Sequence, residues 1–322
     1  MLSRPVGKQV LGKRDAESQR EQTHHADGGW NVKTSKRTLS SQDLGLEAGL
    51  IFSRYFLKTE HLHYGYWTDN LNVDIANLPR AQENYCDFLV SHIPKNVQSV
   101  LDVGCGSGVF AFRLKELGYD VDCVSPSVLL TRQAGHHLNG RARIFDCPFE
   151  DLAADRRYDL ALFSESFQYV DLQKGLCKSA DVLTDGGYVM ICDFFRKETP
   201  GESRIGGGKR LSKFYDAVTR HPFRIVEDVD ITKETAPTMD LANEVCVQVL
   251  CPIWQSAFGF LDSRYPWVMK MFRRMFRKKI EKIEGKYFAG ERSGEHFSRF
   301  KTYRLVLLQK IPATSVGIGA VS

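Results

Sequence analysis

Residues Val100–Gly108 read Val-Leu-Asp-Val-Gly-Cys-Gly-Ser-Gly, an apolar strand run that ends in a glycine-rich turn. Glycines let the backbone turn sharply and let a ligand approach the main chain closely. The segment Val109–Leu117 that follows has helical character, and a helix N-terminus offers unpaired N–H groups. A dinucleotide fingerprint needs a third glycine where this chain has Val109. The pattern is instead Gly104, Gly106 and Gly108, with Cys105 and Ser107 between them and Asp102 at the strand end. An acid there can receive a ligand's amino group.

On either side of this turn, strand and helix patterns alternate. Strands are expected at Ser99–Val103, Tyr119–Val124, Ala142–Phe145, Tyr158–Phe163, Tyr188–Phe194, Phe223–Ile231 and Tyr303–Leu308. Helices are expected at Val128–Leu138, Leu172–Leu183 and Lys209–Thr219, with Asp185-Gly186-Gly187 as a turn. Such alternation predicts an α/β fold, a Rossmann-like doubly wound, mostly parallel seven-stranded sheet with helices on both faces. The gap of about seventy residues before the last strand is too long for a plain loop and predicts a helical insertion. The expected organisation is a polar tail at 1–40, a helical cover with an aromatic segment at 41–95, and a core at 96–231. A helical lid at 232–300, the last strand at 301–311 and a tail at 312–322 complete it.

Ligands of open α/β sheets bind outside the carboxyl ends of the strands. Four strand ends therefore matter. The first carries Asp102. The second ends at Ser125, a hydroxyl where a ribose-binding acid is usual. The third runs into Asp146-Cys147-Pro148-Phe149, and the fourth delivers Ser164 and Glu165. Ahead of the core stands His61-Leu62-His63-Tyr64-Gly65-Tyr66-Trp67.

With these motifs the chain resembles the class I S-adenosylmethionine (SAM)-dependent methyltransferases over about residues 60–195. Within them it is similar to the small-molecule branch of sterol, tocopherol and cyclopropane-fatty-acid methyltransferases. The aromatic segment, Ser125 and the late insertion carry the finer likeness. The fatty-acid enzymes' bicarbonate-binding pattern is not evident. The resemblance implies SAM as cofactor and methyl transfer (EC 2.1.1.-) to a small molecule. It implies that Gly104, Cys105, Gly106 and Gly108 turn around the cofactor and that Asp102 takes its amino group. Ser125 would meet the ribose, Asp146 the adenine amino group, and Cys147, Pro148 and Phe149 the ring. Ser164 and Glu165 would lie near the transferred methyl, Glu165 as an orienting or proton-accepting group. Tyr64 could face the sulfonium, since ring faces attract cations; Tyr66 and Trp67 either close the pocket or staple the cover to the core. His296, just before the last strand, is a second candidate base, while His61, His63 and His221 taken singly read as structural.

The net charge of +5 is unevenly spread. Residues 1–40 hold eight Lys/Arg against four Asp/Glu, and residues 264–286 nine against two. Early basic residues suggest a mitochondrial address, but Asp15, Glu17 and Glu21 argue against it, and a cytoplasmic location is expected. The late basic segment has an apolar stripe of Val268, Phe272, Met275, Phe276, Ile280 and Ile283. It fits peripheral membrane contact, or a helix that packs its stripe on the core and turns its charges to water. No base-reading module points to nucleic acid. Val245–Leu261 is uncharged, but reads as too short and interrupted to span a bilayer comfortably. Eight cysteines form no CxxC pair and no zinc-like spacing, so no metal is expected and reduced thiols are. The leading expectation is methylation of an amphipathic or lipid-like acceptor, such as an isoprenoid, sterol, quinone or polyketide. Alternatives are a soluble amine, hydroxyl or carboxylate metabolite, or a SAM-fold partner protein without catalysis.

Overall fold

A computed structural model describes residues 41–312 apart from 202 and 204. The tails expected at 1–40 and 312–322 lie outside the described residues, except for Pro312.

Seven strands form one sheet in the order β3-β2-β1-β4-β5-β7-β6. They are β1 (Ser99–Val103), β2 (Asp120–Val124), β3 (Ile144–Phe145), β4 (Tyr158–Ser164), β5 (Leu183–Arg196), β6 (Phe223–Asp230) and β7 (Lys301–Lys310). The first five run parallel, and β7 is antiparallel to both β5 and β6. The sheet separates two cores because strand side chains alternate between faces. On β4, Leu160 and Leu162 pack to one side and Ala161 and Phe163 to the other. The order reverses between β1 and β4, which opens a crevice at their carboxyl ends.

Helices cover both faces. The cover comprises α1 (Ser41–Phe52), a π-helical turn at Ser53–Leu57, and α2 (Leu78–Ser91). Ala81, Tyr85 and Leu89 are buried at intervals of four, so α2 presents one apolar stripe to the sheet. Between the strands come α3 (Val109–Glu116), α4 (Val128–Leu138), α5 (Leu172–Val182) and α6 (Leu211–Val218). The sequence Asp185-Gly186-Gly187 is not a free turn. It bulges within β5, where the pairing with β4 jumps from Tyr158↔Leu183 to Leu160↔Tyr188.

The insertion holds α7 (Thr232–Thr235), α8 (Pro237–Glu244), α9 (Cys251–Arg264), α10 (Pro266–Tyr287) and α11 (Gly294–Phe300). A π-helical turn at Val245–Leu250 joins α8 to α9. The uncharged run is therefore not interrupted. Thr232–Arg264 is a 33-residue helical stretch, long and apolar enough to cross a membrane by length and composition, and its apolar window is 0% buried. The ends of the insertion are anchored on the sheet. Met239 of α8 and Phe297 of α11 are buried against the sheet. Of α10 only Met269 is buried, while Trp267 is 82% exposed and Met275 66% exposed. The apolar stripe of this basic helix thus does not pack on the core. Phe272 meets Phe276 and Phe258, so part of it pairs with α9.

Candidate cofactor and catalytic site

The crevice at the strand ends is a cavity of about 410 Å³. Asp102, Gly104, Cys105 and Gly106 line it from the end of β1 and its turn, and Ser125 from the end of β2. Pro148 and Phe149 line it from beyond β3, and Ser164 and Glu165 from the end of β4. Phe149 is fixed edge-on against Phe163 of β4. Ser125 Oγ accepts from the Ser127 N–H, which leaves its hydroxyl proton free to donate.

Asp102 is 2% exposed, and burial pushes its carboxyl up to about 7. No described residue donates a hydrogen bond to it. A buried acid without a partner is costly unless a cation arrives. Gly106 has a φ of +57°, and a side chain there would enter open space in this cavity. Both features suit a ligand carrying an ammonium group close to the main chain.

Glu165 is the second unusual acid. Its φ of +55° is left-handed, uncommon for a residue with a side chain. Desolvation raises its carboxyl to about 8, against the lowering effect of hydrogen bonds from Tyr303 Oη and the Tyr64 N–H. Tyr303 Oη lies 2.7 Å from Glu165 Oε1 and 3.1 Å from Tyr85 Oη. Ser164 Oγ reaches the same Tyr85 hydroxyl at 3.3 Å. Glu165 therefore ends a buried hydroxyl chain. Nearby, burial also pushes Asp193 up to about 7, although the Gln168 and Phe194 N–H groups donate to it.

Five expected site residues do not line the cavity. The Tyr64 ring is packed among Phe194, Phe297 and Tyr303, and its hydroxyl points at Met239 Sδ. Only its backbone N–H serves the site, through Glu165. Gly108 packs on Ala134 of α4. Asp146 is exposed and Cys147 is half-buried beside the apolar core. His296 is bonded to Ser203 and stacked near Phe300, away from the cavity. Trp67 bonds Thr238 of α8, which fixes the cover to the insertion. Conversely, His61 and His63, read singly as structural, line the cavity wall. Tyr85, Tyr303 and Asp193 were not singled out. For Asp193 a signal existed, since an acid interrupts the apolar run of β5. For the two tyrosines none did, because their hydroxyls meet only in the folded chain.

Residues 101–191 match the family model described as a methyltransferase domain. These residues form a methyltransferase domain of the class I SAM-dependent kind. The matched stretch runs from the end of β1 into β5 and so contains most of the cavity wall. Cypemycin N-terminal methyltransferase from a Streptomyces species is 23% identical over 69% of this chain and 87% of its own length. Geranyl diphosphate C-methyltransferase from Streptomyces coelicolor A3(2), solved with S-adenosyl-L-homocysteine, superposes with a TM-score of 0.57 at 17% identity. That match covers 83% of this chain and 97% of the other. The [4+2]-cyclase SpnF superposes equally well, with a TM-score of 0.57 at 16% identity over 85% and 98%. The methyltransferase-domain fold is thus also found in a cyclase, so the acceptor chemistry has to be argued from side chains.

Proposed function

We propose that this methyltransferase acts on an amphipathic, lipid-like small molecule that it meets at an anionic membrane surface. The observation that carries this reading is the bare arm of α9 and α10. Phe260, Trp267 and Met275 stand exposed beside Arg274, Arg277, Lys278 and Lys279. Apolar side chains next to dense positive charge suit an interface of acyl chains and anionic headgroups. The similarity to a geranyl diphosphate methyltransferase agrees with an isoprenoid-like acceptor.

SAM, when bound, supplies a methyl carbon made electrophilic by its sulfonium. Asp102 would hold its ammonium, Ser125 its ribose, and Phe149 with Pro148 its adenine. Glu165 would face the acceptor, orient its nucleophilic atom and take its proton, with Tyr303 steadying the carboxylate. The acceptor atom forms its bond to the methyl carbon as the S–CH₃ bond breaks, and the neutral thioether leaves without further help, so positioning carries most of the rate effect, with a ceiling of about 7–11 kcal/mol.

Flotation with liposomes tests the membrane reading. The protein should rise with vesicles containing phosphatidylserine, less so at high salt, and much less with Trp267→Asp and Met275→Asp combined. Failure to float with anionic vesicles would remove the reading. It would favour a soluble amine acceptor, the class suggested by the N-terminal methyltransferase relative.

A further inference from the structure

The wall of the cavity formed by the 59–67 segment holds a cluster that methyl transfer does not use. His61 Nδ1 lies 3.0 Å from His63 Nε2, and Cys86 Sγ of α2 lies 3.5 Å from His63 Nε2 and 4.0 Å from His61 Nδ1. These are the only groups of their kind gathered in this way among the described residues.

The outer nitrogens fix the tautomers. His61 Nε2 faces Glu83 Oε1 at 3.1 Å, and His63 Nδ1 faces the Tyr64 carbonyl at 2.8 Å. A carboxylate and a carbonyl only accept, so both outer nitrogens carry the protons. The inner nitrogens of neutral rings then present two lone pairs to each other at 3.0 Å. Such an arrangement calls for something positive between them.

We propose that His61 Nδ1, His63 Nε2 and Cys86 Sγ form a Zn²⁺ site. Zinc bonds nitrogen at about 2.0–2.1 Å and sulfur at about 2.3 Å, which spaces tetrahedral ligands about 3.3–3.6 Å apart. The observed 3.0, 3.5 and 4.0 Å bracket that range and need shifts of only a few tenths of an ångström. The Glu83–His61 and Tyr64 carbonyl–His63 contacts are the outer partners that zinc-bound imidazoles use. Cys86 loses its thiol proton to solvent as the metal–sulfur bond forms. The charge then balances: the thiolate and Glu83 offset the dication, while Arg113 is paired between Glu83 and Asp87. Three protein ligands leave the fourth position to water or another small ligand from solution. The metal would tie the 59–67 segment to α2 and stiffen that wall of the cavity. The spacing His-x-His with a cysteine 23 residues further on matches no common zinc pattern, and folding alone brings the three together.

The test uses the full chain, stripped by a chelator and titrated with Zn²⁺ or Co²⁺ alone. One equivalent of Zn²⁺ should bind tightly, and Co²⁺ should give a near-ultraviolet thiolate charge-transfer band. Cys86→Ser should abolish the band, and so should His63→Gln should the serine variant fold poorly. Cys177→Ser, which removes the exposed Cys177–His221 pair, should leave it intact. Glu83→Gln should weaken zinc affinity about 10–100-fold. Absence of a band in folded wild-type protein, or a band untouched by both Cys86→Ser and His63→Gln, would overturn the assignment.

Discussion

Glu165→Gln is expected to lower kcat by about 10²–10⁴-fold, the range associated with losing a positioned proton acceptor, while SAM affinity changes little. The amide keeps an oxygen for the Tyr303 hydroxyl and the Tyr64 N–H, so the shape of the site survives and only the ionisation is lost. The pH dependence adds a second readout. Burial raises the Glu165 carboxyl to about 8 in the free protein, so at neutral pH it is mostly protonated. A base must first ionise, so kcat/KM should rise with pH and level off above about 8. The bound sulfonium, a nearby positive charge, should shift the corresponding rise in kcat to lower pH. Tyr303→Phe removes a hydrogen bond that favours the carboxylate form, so the limb should move to higher pH. In Glu165→Gln the limb should vanish. A variant with wild-type kcat and an unchanged profile would remove Glu165 from the chemistry.

Gly108→Ala should cost about 2–5 kcal/mol of stability, while Gly106→Ala should cost less and act on cofactor binding. Gly108 has a φ of +84°, and a Cβ there would sit 2.7 Å from the Ala134 Cα and 2.8 Å from its Cβ. Main chain cannot swing aside as a side chain can. Overpacking of this kind costs about 1–3 kcal/mol, and the left-handed backbone adds about 1–2 kcal/mol for a residue with a Cβ. Gly106 has the same backbone problem at +57° but no neighbour within 4 Å. Its added methyl would enter the cavity instead. Denaturant midpoints and SAM titrations of the two variants should therefore separate, one losing stability and the other losing affinity. Equal stability losses at both positions would contradict the packing described for Gly108.

The parts of the site made by contiguous residues were legible before folding. Asp102 and its glycines form one strand–turn–helix unit, and Ser164 and Glu165 follow directly from the end of β4. Strand ends converge by the topology of the sheet, so their residues could be named from the order of elements. The third strand end was read less well. β3 is only two residues long, so the chain beyond it turns Phe149 and Pro148 to the cavity and leaves Asp146 outside. His296 and the Tyr64 ring lie off the cavity for another reason. His296 stands just before the last strand and Tyr64 in an aromatic segment suited to a cation, but Met239 of α8 and Phe297 of α11 enclose the Tyr64 ring, and His296 is bonded to Ser203. The uncharged run Val245–Leu261 was underestimated because Gln248, Pro252 and Gln255 read as interruptions. Pro252 sits at the first or second position of α9, where the missing N–H costs little. Cys86 joins His63 from 23 positions away, and Tyr303 meets Tyr85 from 218 positions away, beyond any local pattern.

Methyl transfer here requires that the Asp102 turn bind SAM. Calorimetric titration of the full chain with SAM and S-adenosylhomocysteine, with NAD as control, tests it directly. Both sulfur ligands should bind with micromolar affinity and NAD should not, and Asp102→Ala should weaken binding by at least about thirty-fold, as expected for losing one partner of a buried charged pair. No binding by folded wild-type protein, or equal binding by Asp102→Ala, would contradict it.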